Sequence, residues 1–279
     1  MNQRTHMCGE VNKAHAGQSV ILKGWVQRSR NLGGIIFVWL RDHTGVVQVV
    51  FDGNVISRPL LAVAESLHSE YVLEVRGKVT MRAAEAVNEK LKTGEIEVAA
   101  EEAVILNASK TPPIYVEEDT KEQESLRLTY RYLDLRRPCM QQMLRMRHQV
   151  TRLLREYIDS QGFVEVETPM LTKSTPEGAR DYLVPARCKP GTFYALPQSP
   201  QIYKQLLMLS GLDKYYQITR CFRDEDGRAD RQPEFTQFDM EMSFVDPEDV
   251  QGVIEGAYRH VFRHLLNVDL QLPLPRITW

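Results

Sequence analysis

The sequence predicts an α+β chain in two parts, a small all-β region followed by a larger region of helices on a partly antiparallel sheet. Three observations predict it. Short runs rich in Val, Ile, Phe and Tyr, broken by turn residues, fill 1–108. A charged stretch with a double proline, Ser109 through Pro112-Pro113 to Glu124, reads as a linker over 109–127. From 128 to 279 the apolar spacing alternates between helical and strand periods. The 279 residues have the length of about two domains, and 43% hydrophobic with 26% charged residues excludes a disordered or fibrous chain. No run approaches the ~20 apolar residues of a membrane span, and the polar start lacks the apolar core of a secretory signal. No membrane partner and a cytoplasmic location are therefore expected. Cys8, Cys139, Cys188 and Cys221 are widely spaced with no C-x-x-C pair, so reduced thiols are expected, and no metal site.

The β-rich part is predicted as strands at Ser19–Val26, Gly34–Arg41, Val46–Phe51, Tyr71–Val79 and Glu95–Leu106, with a hairpin turn at Asp42-His43-Thr44-Gly45 and one helix at Pro59–His68. Five strands and a helix fit a small closed barrel, the five-stranded oligonucleotide-binding barrel being the common example; a sandwich also satisfies the pattern. In the second part a helix is predicted over Cys139–Ser160, stopped at Gly162, then a strand at Phe163–Thr168 ended by Pro169. A second helix opens at Ser199-Pro200, as cap and first helical position, and closes at Gly211. Strands follow at Tyr215–Phe222 and Phe235–Phe244. A third helix opens on the acidic Asp246-Pro247-Glu248-Asp249 and runs to about Asn267. Two strands joined by one loop pair antiparallel, and no glycine-rich phosphate loop is present, which argues against a doubly wound nucleotide fold.

The net charge of −2 leaves only local basic surfaces for a polyanion. One lies in the barrel: Arg4, Lys13, Lys23, Arg28, Arg30 and Arg41 face only Glu10 and Asp42 in the first fifty residues, beside a strand carrying Phe37 and Trp39. Cations that track phosphates next to rings that stack on bases suit single-stranded nucleic acid; aromatics in a core with arginines on a solvated rim give the same pattern. A second lies at Phe222-Arg223-Asp224-Glu225-Asp226 through Arg228 and Arg231 to Glu234-Phe235. It suits a nucleotide, with Arg223 on a phosphate and Phe235 on the ring, or a surface hairpin of solvated ion pairs. The loop Thr172–Asp181 contains glycine and charge, as a lid over a small polar substrate does, and Gln201 and Lys204 share a helix face.

Several long runs carry a family resemblance: Arg131-Tyr132-Leu133-Asp134-Leu135-Arg136-Arg137, Glu167-Thr168-Pro169-Met170-Leu171, Thr175-Pro176-Glu177-Gly178-Ala179-Arg180-Asp181, Gln198-Ser199-Pro200-Gln201 and Phe222-Arg223-Asp224-Glu225. Through them the whole chain resembles the bacterial-type aspartyl-tRNA synthetases of class II. The resemblance implies an anticodon-binding barrel at 1–108, a hinge at 109–127, and at 128–279 a partial catalytic domain with the first and second class II motifs. It implies ATP-dependent formation of aspartyl-adenylate and transfer to tRNA(Asp), with L-aspartate and ATP as substrates, Mg2+ accompanying ATP, and a homodimer with Pro169 at its interface. On matching positions Arg223 is implied as the catalytic contact to the α-phosphate and the aspartate carboxylate. Asp224, Glu225, Gln232 and Phe235 join it around ATP, and Glu177, Ser199, Gln201, Lys204 and Asp239 around aspartate. Arg30, Phe37, Gln48, Arg82 and Glu97 match anticodon-reading positions. Asn31 and Trp39 stand where the family carries acids, which raises tRNA(Asn) as a further partner. The family's glycine-rich third motif, its pocket arginine and its large inserted domain have no counterpart in these residues. The expectation is an N-terminal portion that does not activate aspartate alone, the alternative being a non-catalytic tRNA-binding module.

Overall fold

The computed structural model describes residues 3–175, 177–228 and 230–277. Its contacts divide the chain into two compact units, Met1–Leu144 and Arg145–Trp279. The division falls inside a helix, while 108–123 carries neither helix nor strand.

In the first unit β1 (Ser19–Leu32), β2 (Ile35–Asp42), β3 (Gly45–Asp52), β4 (Val72–Met81) and β5 (Ile96–Asn107) close into a barrel of order β1-β2-β3-β5-β4, with α1 (Arg58–Glu65) between β3 and β4. The barrel, not the sandwich, is therefore the fold. Closure comes from the parallel pairing of β3 with β5 at Val49↔Val98 and Val50↔Ala99. Alternate residues fill the interior: Val20, Leu22, Val26, Ile36, Val38, Leu40, Val47, Val49 and Phe51 are at most 1% exposed. β1 is longer than its apolar pattern suggests because it continues past a bulge. Val26 pairs Leu40 and Arg28 pairs Trp39, so Gln27 is the extra residue. The bulge reverses which side chains point inward. Val20, Leu22 and Val26 are buried before it, whereas Arg28 and Arg30, at the same parity, are exposed after it. Gly33 and Gly34, with φ of 63° and 93°, then make the tight turn into β2.

The predicted linker, 109–127, overlaps the start of α2 (Glu124–Thr129), which α3 (Arg131–Asp134) follows. The fully buried Asp134 carboxylate takes the guanidinium of Arg131 at 2.6 Å and that of Arg137 at 3.0 Å. Arg137 also donates to the backbone oxygens of Glu117 and Glu118, at 3.0 and 2.8 Å, and so pins the linker. Buried Glu70 similarly gathers Arg41 at 2.8 Å and Arg136 at 2.6 Å.

α4 (Pro138–Ser160) runs across the division. In the second unit β6 (Val164–Glu165) pairs parallel to β9 (Lys214–Phe222), and β10 (Glu234–Met242) pairs antiparallel to β9, giving the order β10-β9-β6. A hairpin of β7 (Leu183–Pro185) and β8 (Phe193–Ala195) stands apart from that sheet. α5 (Gln201–Leu209) and α6 (Pro247–Leu266) complete the unit. One sheet face packs Tyr216, Phe238, Met240 and Met242 with Leu154, Ile158, Phe163, Val253 and Ala257 from the segments around α4 and α6.

Besides β1, several expected elements differ at their ends: β10, expected to run to Phe244, stops at Met242, and two others have a local cause. The strand expected at Phe163–Thr168 is only two residues long, because pairing ends at the Val166 N–H to Tyr216. Beyond it the Thr168 hydroxyl donates to Gln217 Oε1 at 2.9 Å, and Pro169 has no N–H to give. α5 begins one residue late. Pro200 occupies the cap position rather than the first helical one, while the Ser199 hydroxyl accepts the Gln201 N–H at 3.3 Å. α6 opens as expected, with the Asp249 carboxylate accepting the Asp246 N–H at 3.0 Å. Among the described residues no helix is long and apolar enough to cross a membrane.

Candidate functional site

The sheet face opposite that core is polar. Register places Glu241 beside Tyr215, Asp239 beside Gln217, Gln237 beside Thr219 and Phe235 beside Cys221, and the period-two alternation turns all eight side chains to one side. α5 supplies Lys204 to this face. Its ammonium lies 3.0 Å from Asp239 Oδ1 and 3.1 Å from Glu241 Oε2. Burial disfavours the Lys204 charge, but the two carboxylates outweigh it and hold the ammonium above its ordinary pKa. Burial pushes the Asp239 carboxyl up despite that partner. Burial also raises the Cys221 thiol, to about 11, so it is a thiol at neutral pH; it donates to Gln237 Oε1 at 3.1 Å.

The loop 174–181 approaches the same region. Glu177 Oε2 accepts the Ser199 hydroxyl at 2.8 Å, and Gly178 follows with φ of 99°, a turn a side chain would strain. The loop is fixed from below by Gln198, whose side chain no motif reading had assigned a role. It is 1% exposed, accepts the Ala179 N–H at 3.1 Å, and donates to Ala179 O at 2.9 Å and Asp181 Oδ1 at 2.5 Å. Gln201 starts α5 half-buried, on the face that carries Lys204.

The β9–β10 connection forms the other wall. The Arg223 guanidinium carbon sits 5.1 Å from the Phe235 ring centre, and the Arg223 N–H donates to Pro233 O at 2.9 Å. A cavity of about 320 Å³ is lined by Arg223, Glu225, Gln232, Phe235 and Gln237. A larger one of about 790 Å³, lined by Gly178, Arg180, Asp224, Glu225, Arg228 and Arg231, adjoins it through Glu225 and Arg231. The Asp224 N–H donates to Arg180 O at 3.0 Å, tying the two loops together. Arg223, Asp224, Glu225, Gln232 and Phe235 thus share one pair of cavities, while Glu177, Ser199 and the Lys204–Asp239 pair converge from the loop and α5. Pro169 lies exposed just beyond β6.

The barrel carries its own site, a cavity of about 280 Å³ lined by Arg28, Arg30, Phe37, Trp39, Gln48 and Arg82 among others. Glu97 stands behind it, accepting Gln48 Nε2 at 2.9 Å and lying 3.8 Å from Arg82. The Arg82 side chain is only 4% exposed, and its Nε donates to Ile96 O at 2.9 Å. Its Nη2 is buried without a partner, and desolvation lowers the guanidinium pKa. The Arg82 guanidinium thus stands among the cavity's lining residues with its charge backed by Glu97.

Two units, one a barrel with a cavity lined by arginines and aromatic rings and the other a polar sheet under a charged loop, match known families in turn. Residues 20–106 match the family model of the OB-fold nucleic acid binding domain, and residues 123–279 that of the tRNA synthetases class II (D, K and N). The chain belongs to that class II family. An aspartate–tRNA ligase of Macrococcus caseolyticus is 58% identical over 279 residues, all of this chain and 47% of that protein. An aspartate–tRNA(Asp/Asn) ligase of Moorella thermoacetica is 58% identical over 99% of this chain and 46% of its own length. Among solved structures, asparaginyl-tRNA synthetase of Pyrococcus horikoshii complexed with asparaginyl-adenylate superposes with a TM-score of 0.84 at 28% identity, over 96% of this chain and 59% of that one. The chain spans about half the length of the curated relatives it matches.

Proposed function

We propose that this chain supplies the anticodon-binding barrel and part of the catalytic domain of an aspartate–tRNA ligase. The observation that carries the reading is the convergence of Arg223, Glu177, Ser199, Gln201, Lys204 and Asp239 around one polar sheet face, in a chain 58% identical to such ligases along its whole length. In the first step a carboxylate oxygen of L-aspartate attacks the α-phosphorus of ATP and pyrophosphate leaves, giving aspartyl-adenylate. In the second, a hydroxyl of the terminal adenosine of tRNA takes the aspartyl group and AMP leaves. Positioning and charge neutralisation dominate both steps. Arg223 holds the α-phosphate, and to do so leaves the Phe235 ring face, which then stacks on adenine. Glu225 and Gln232 line the adenine and phosphate cavity with Asp224 beside them. Glu177, released from Ser199, turns toward the substrate ammonium with Gln201, and Lys204 meets the side-chain carboxylate next to Asp239. Mg2+ would accompany ATP and offset the charge of its phosphates.

The barrel cavity takes the anticodon of tRNA(Asp) through Arg30, Phe37, Gln48, Arg82 and Glu97. Asn31 and Trp39 admit tRNA(Asn) as a second partner. The protein works as a homodimer with Pro169 at the interface, in the cytoplasm; the domain limits 1–108, 109–127 and 128–279 divide the labour between anticodon reading and chemistry. The test is aspartate-dependent exchange of pyrophosphate into ATP. Exchange abolished by Arg223→Ala in an otherwise active protein supports the reading; exchange that is undiminished refutes the assignment of Arg223.

A further inference from the structure

The barrel cavity contains a regularity that the anticodon-reading positions do not account for. Antiparallel register sets Arg30 of β1 directly across from Phe37 of β2, and Arg28 directly across from Trp39. The same pair, a cation on one strand and a ring on the next, is therefore repeated two residues apart. All four residues line the one cavity of about 280 Å³. The repeat depends on the bulge at Gln27. Without it Arg28 and Arg30 would continue the inward parity of Val20, Leu22 and Val26 and could not stand beside rings on the outer face. Phe37 and Trp39 alternate with Ile36, Val38 and Leu40, which are at most 1% exposed, so the rings stand on the outside of a rigid wall.

We propose that Arg28 and Trp39 form a second nucleotide subsite, equivalent to that of Arg30 and Phe37, so that the cavity holds two consecutive unpaired nucleotides of an RNA loop, one on each rung. The inference rests on the anticodon-binding reading and adds a residue pair to it. Two positions along a strand are separated by about 6.6 Å, whereas bases stacked on each other are separated by about 3.4 Å. Rings this far apart cannot both be served by a helical stack. Each base must leave its neighbour and lie on its own ring, as bases do on sheets that display successive aromatics. A duplex cannot meet that condition and an open loop can. Each arginine, exposed across from its ring, reaches the phosphate of the nucleotide whose base the ring holds.

The experiment titrates the protein with an RNA hairpin carrying the aspartate anticodon in its loop, comparing wild type, Trp39→Asp, Trp39→Phe, Arg28→Gln and Phe37→Ala, with circular dichroism to verify each fold. Trp39→Asp weakens binding about fivefold to a hundredfold, the range that loss of one base stack produces. Trp39→Phe, which keeps a ring, stays within about threefold of wild type. Arg28→Gln lowers the slope of log K against log salt by about 0.7, one phosphate contact to a single strand. An abasic nucleotide at one loop position erases the difference between wild type and Trp39→Asp, and one at the adjacent position erases that between wild type and Phe37→Ala. If Phe37→Ala weakens binding and Trp39→Asp does not, or if one abasic position erases both differences, the second subsite is overturned while the anticodon reading stands. If neither variant weakens binding, the anticodon reading itself fails.

Discussion

Replacing Gln198 by methionine keeps the volume of a side chain that is 1% exposed and removes all three of its hydrogen bonds to the loop. The two bonds to Ala179 are neutral and contribute about 1 kcal/mol each, and the one to the Asp181 carboxylate about 1.5–3 kcal/mol. Water reaches the half-buried Ala179 once the loop lifts, so on the order of 2–4 kcal/mol of local order is lost rather than the full sum. Because 174–181 is a loop beside the core, the loss shows as local opening, with the global unfolding midpoint little changed. Asp181 supplies a pH signature. Burial alone raises its carboxyl, but the Ser174 hydroxyl, the Gln198 amide and the Thr175 N–H outweigh burial and hold the pKa below its ordinary value. A depressed carboxyl contributes loop stability that is complete above its unfolded pKa of about 3.9 and is lost as pH falls through the lower native value. With Gln198→Met one of the lowering bonds is gone, so the loop opens at a higher pH than in wild type. Hydrogen exchange followed by mass spectrometry on peptides covering 174–181, between acid and neutral pH, measures both effects. Aspartate binding, followed by calorimetric titration, should weaken, since Glu177 is carried by the same loop. Unchanged exchange protection at every pH in the variant would refute the view that Gln198 fixes the loop.

Three further outcomes are expected. Phe37→Ala should weaken binding of the anticodon stem-loop by roughly 1–3 kcal/mol in a titration at fixed salt, through lost stacking, and equal affinities would contradict it. Asp134→Asn removes the charge that holds Arg137, whose side chain is 10% exposed, and should destabilise the first unit by on the order of 3 kcal/mol in urea unfolding; a shift below a few tenths of a kcal/mol would show that solvent screens the cluster. Lys204→Met leaves Asp239 and Glu241 without the ammonium they share at 3.0 and 3.1 Å, and should abolish aspartate binding while ATP binding persists, as separate calorimetric titrations would reveal. Loss of both, or of neither, would place Lys204 outside the aspartate pocket.

The barrel was legible because its strands are half-buried and alternate, so composition and period agree at Ile36–Val38–Leu40 and Val47–Val49–Phe51. What the alternation did not reveal is where it breaks. Val20, Leu22, Val26, Arg28 and Arg30 share one parity, and a pattern argument must either bury two arginines or end the strand at Val26. The actual resolution, an extra residue at Gln27, is set by pairing with β2 and is invisible to a one-dimensional period. The same limit explains β6. Phe163 to Thr168 alternates well, yet the partner strand β9 accepts only the first residues before Thr168 turns its hydroxyl to Gln217. Local periodicity proposes a strand, and the partner decides how much of it is paired.

For the site the division runs differently. Arg223, Phe235, Glu177 and Lys204 stood out because charge and aromaticity cluster in motifs, whereas Gln198 and Gln237 did not, since a glutamine carries no charge signal. Burial is what gives the Gln198 amide its effect. A carboxamide exposed to water exchanges one set of partners for another at little net gain, but at 1% exposure the Gln198 side chain can be satisfied only by the loop it holds, and the loop backbone is satisfied by it in return. Charged groups at the mouth of the site are free to move toward ligands because neutral amides beneath them are not. In the proposed mechanism Arg223 exchanges the Phe235 ring for a phosphate, and Glu177 exchanges Ser199 for an ammonium, only if the strands and loop that carry them keep their register. That register is held from the amide side by Gln198 under the loop, and by Cys221 with Gln237 on the sheet face itself.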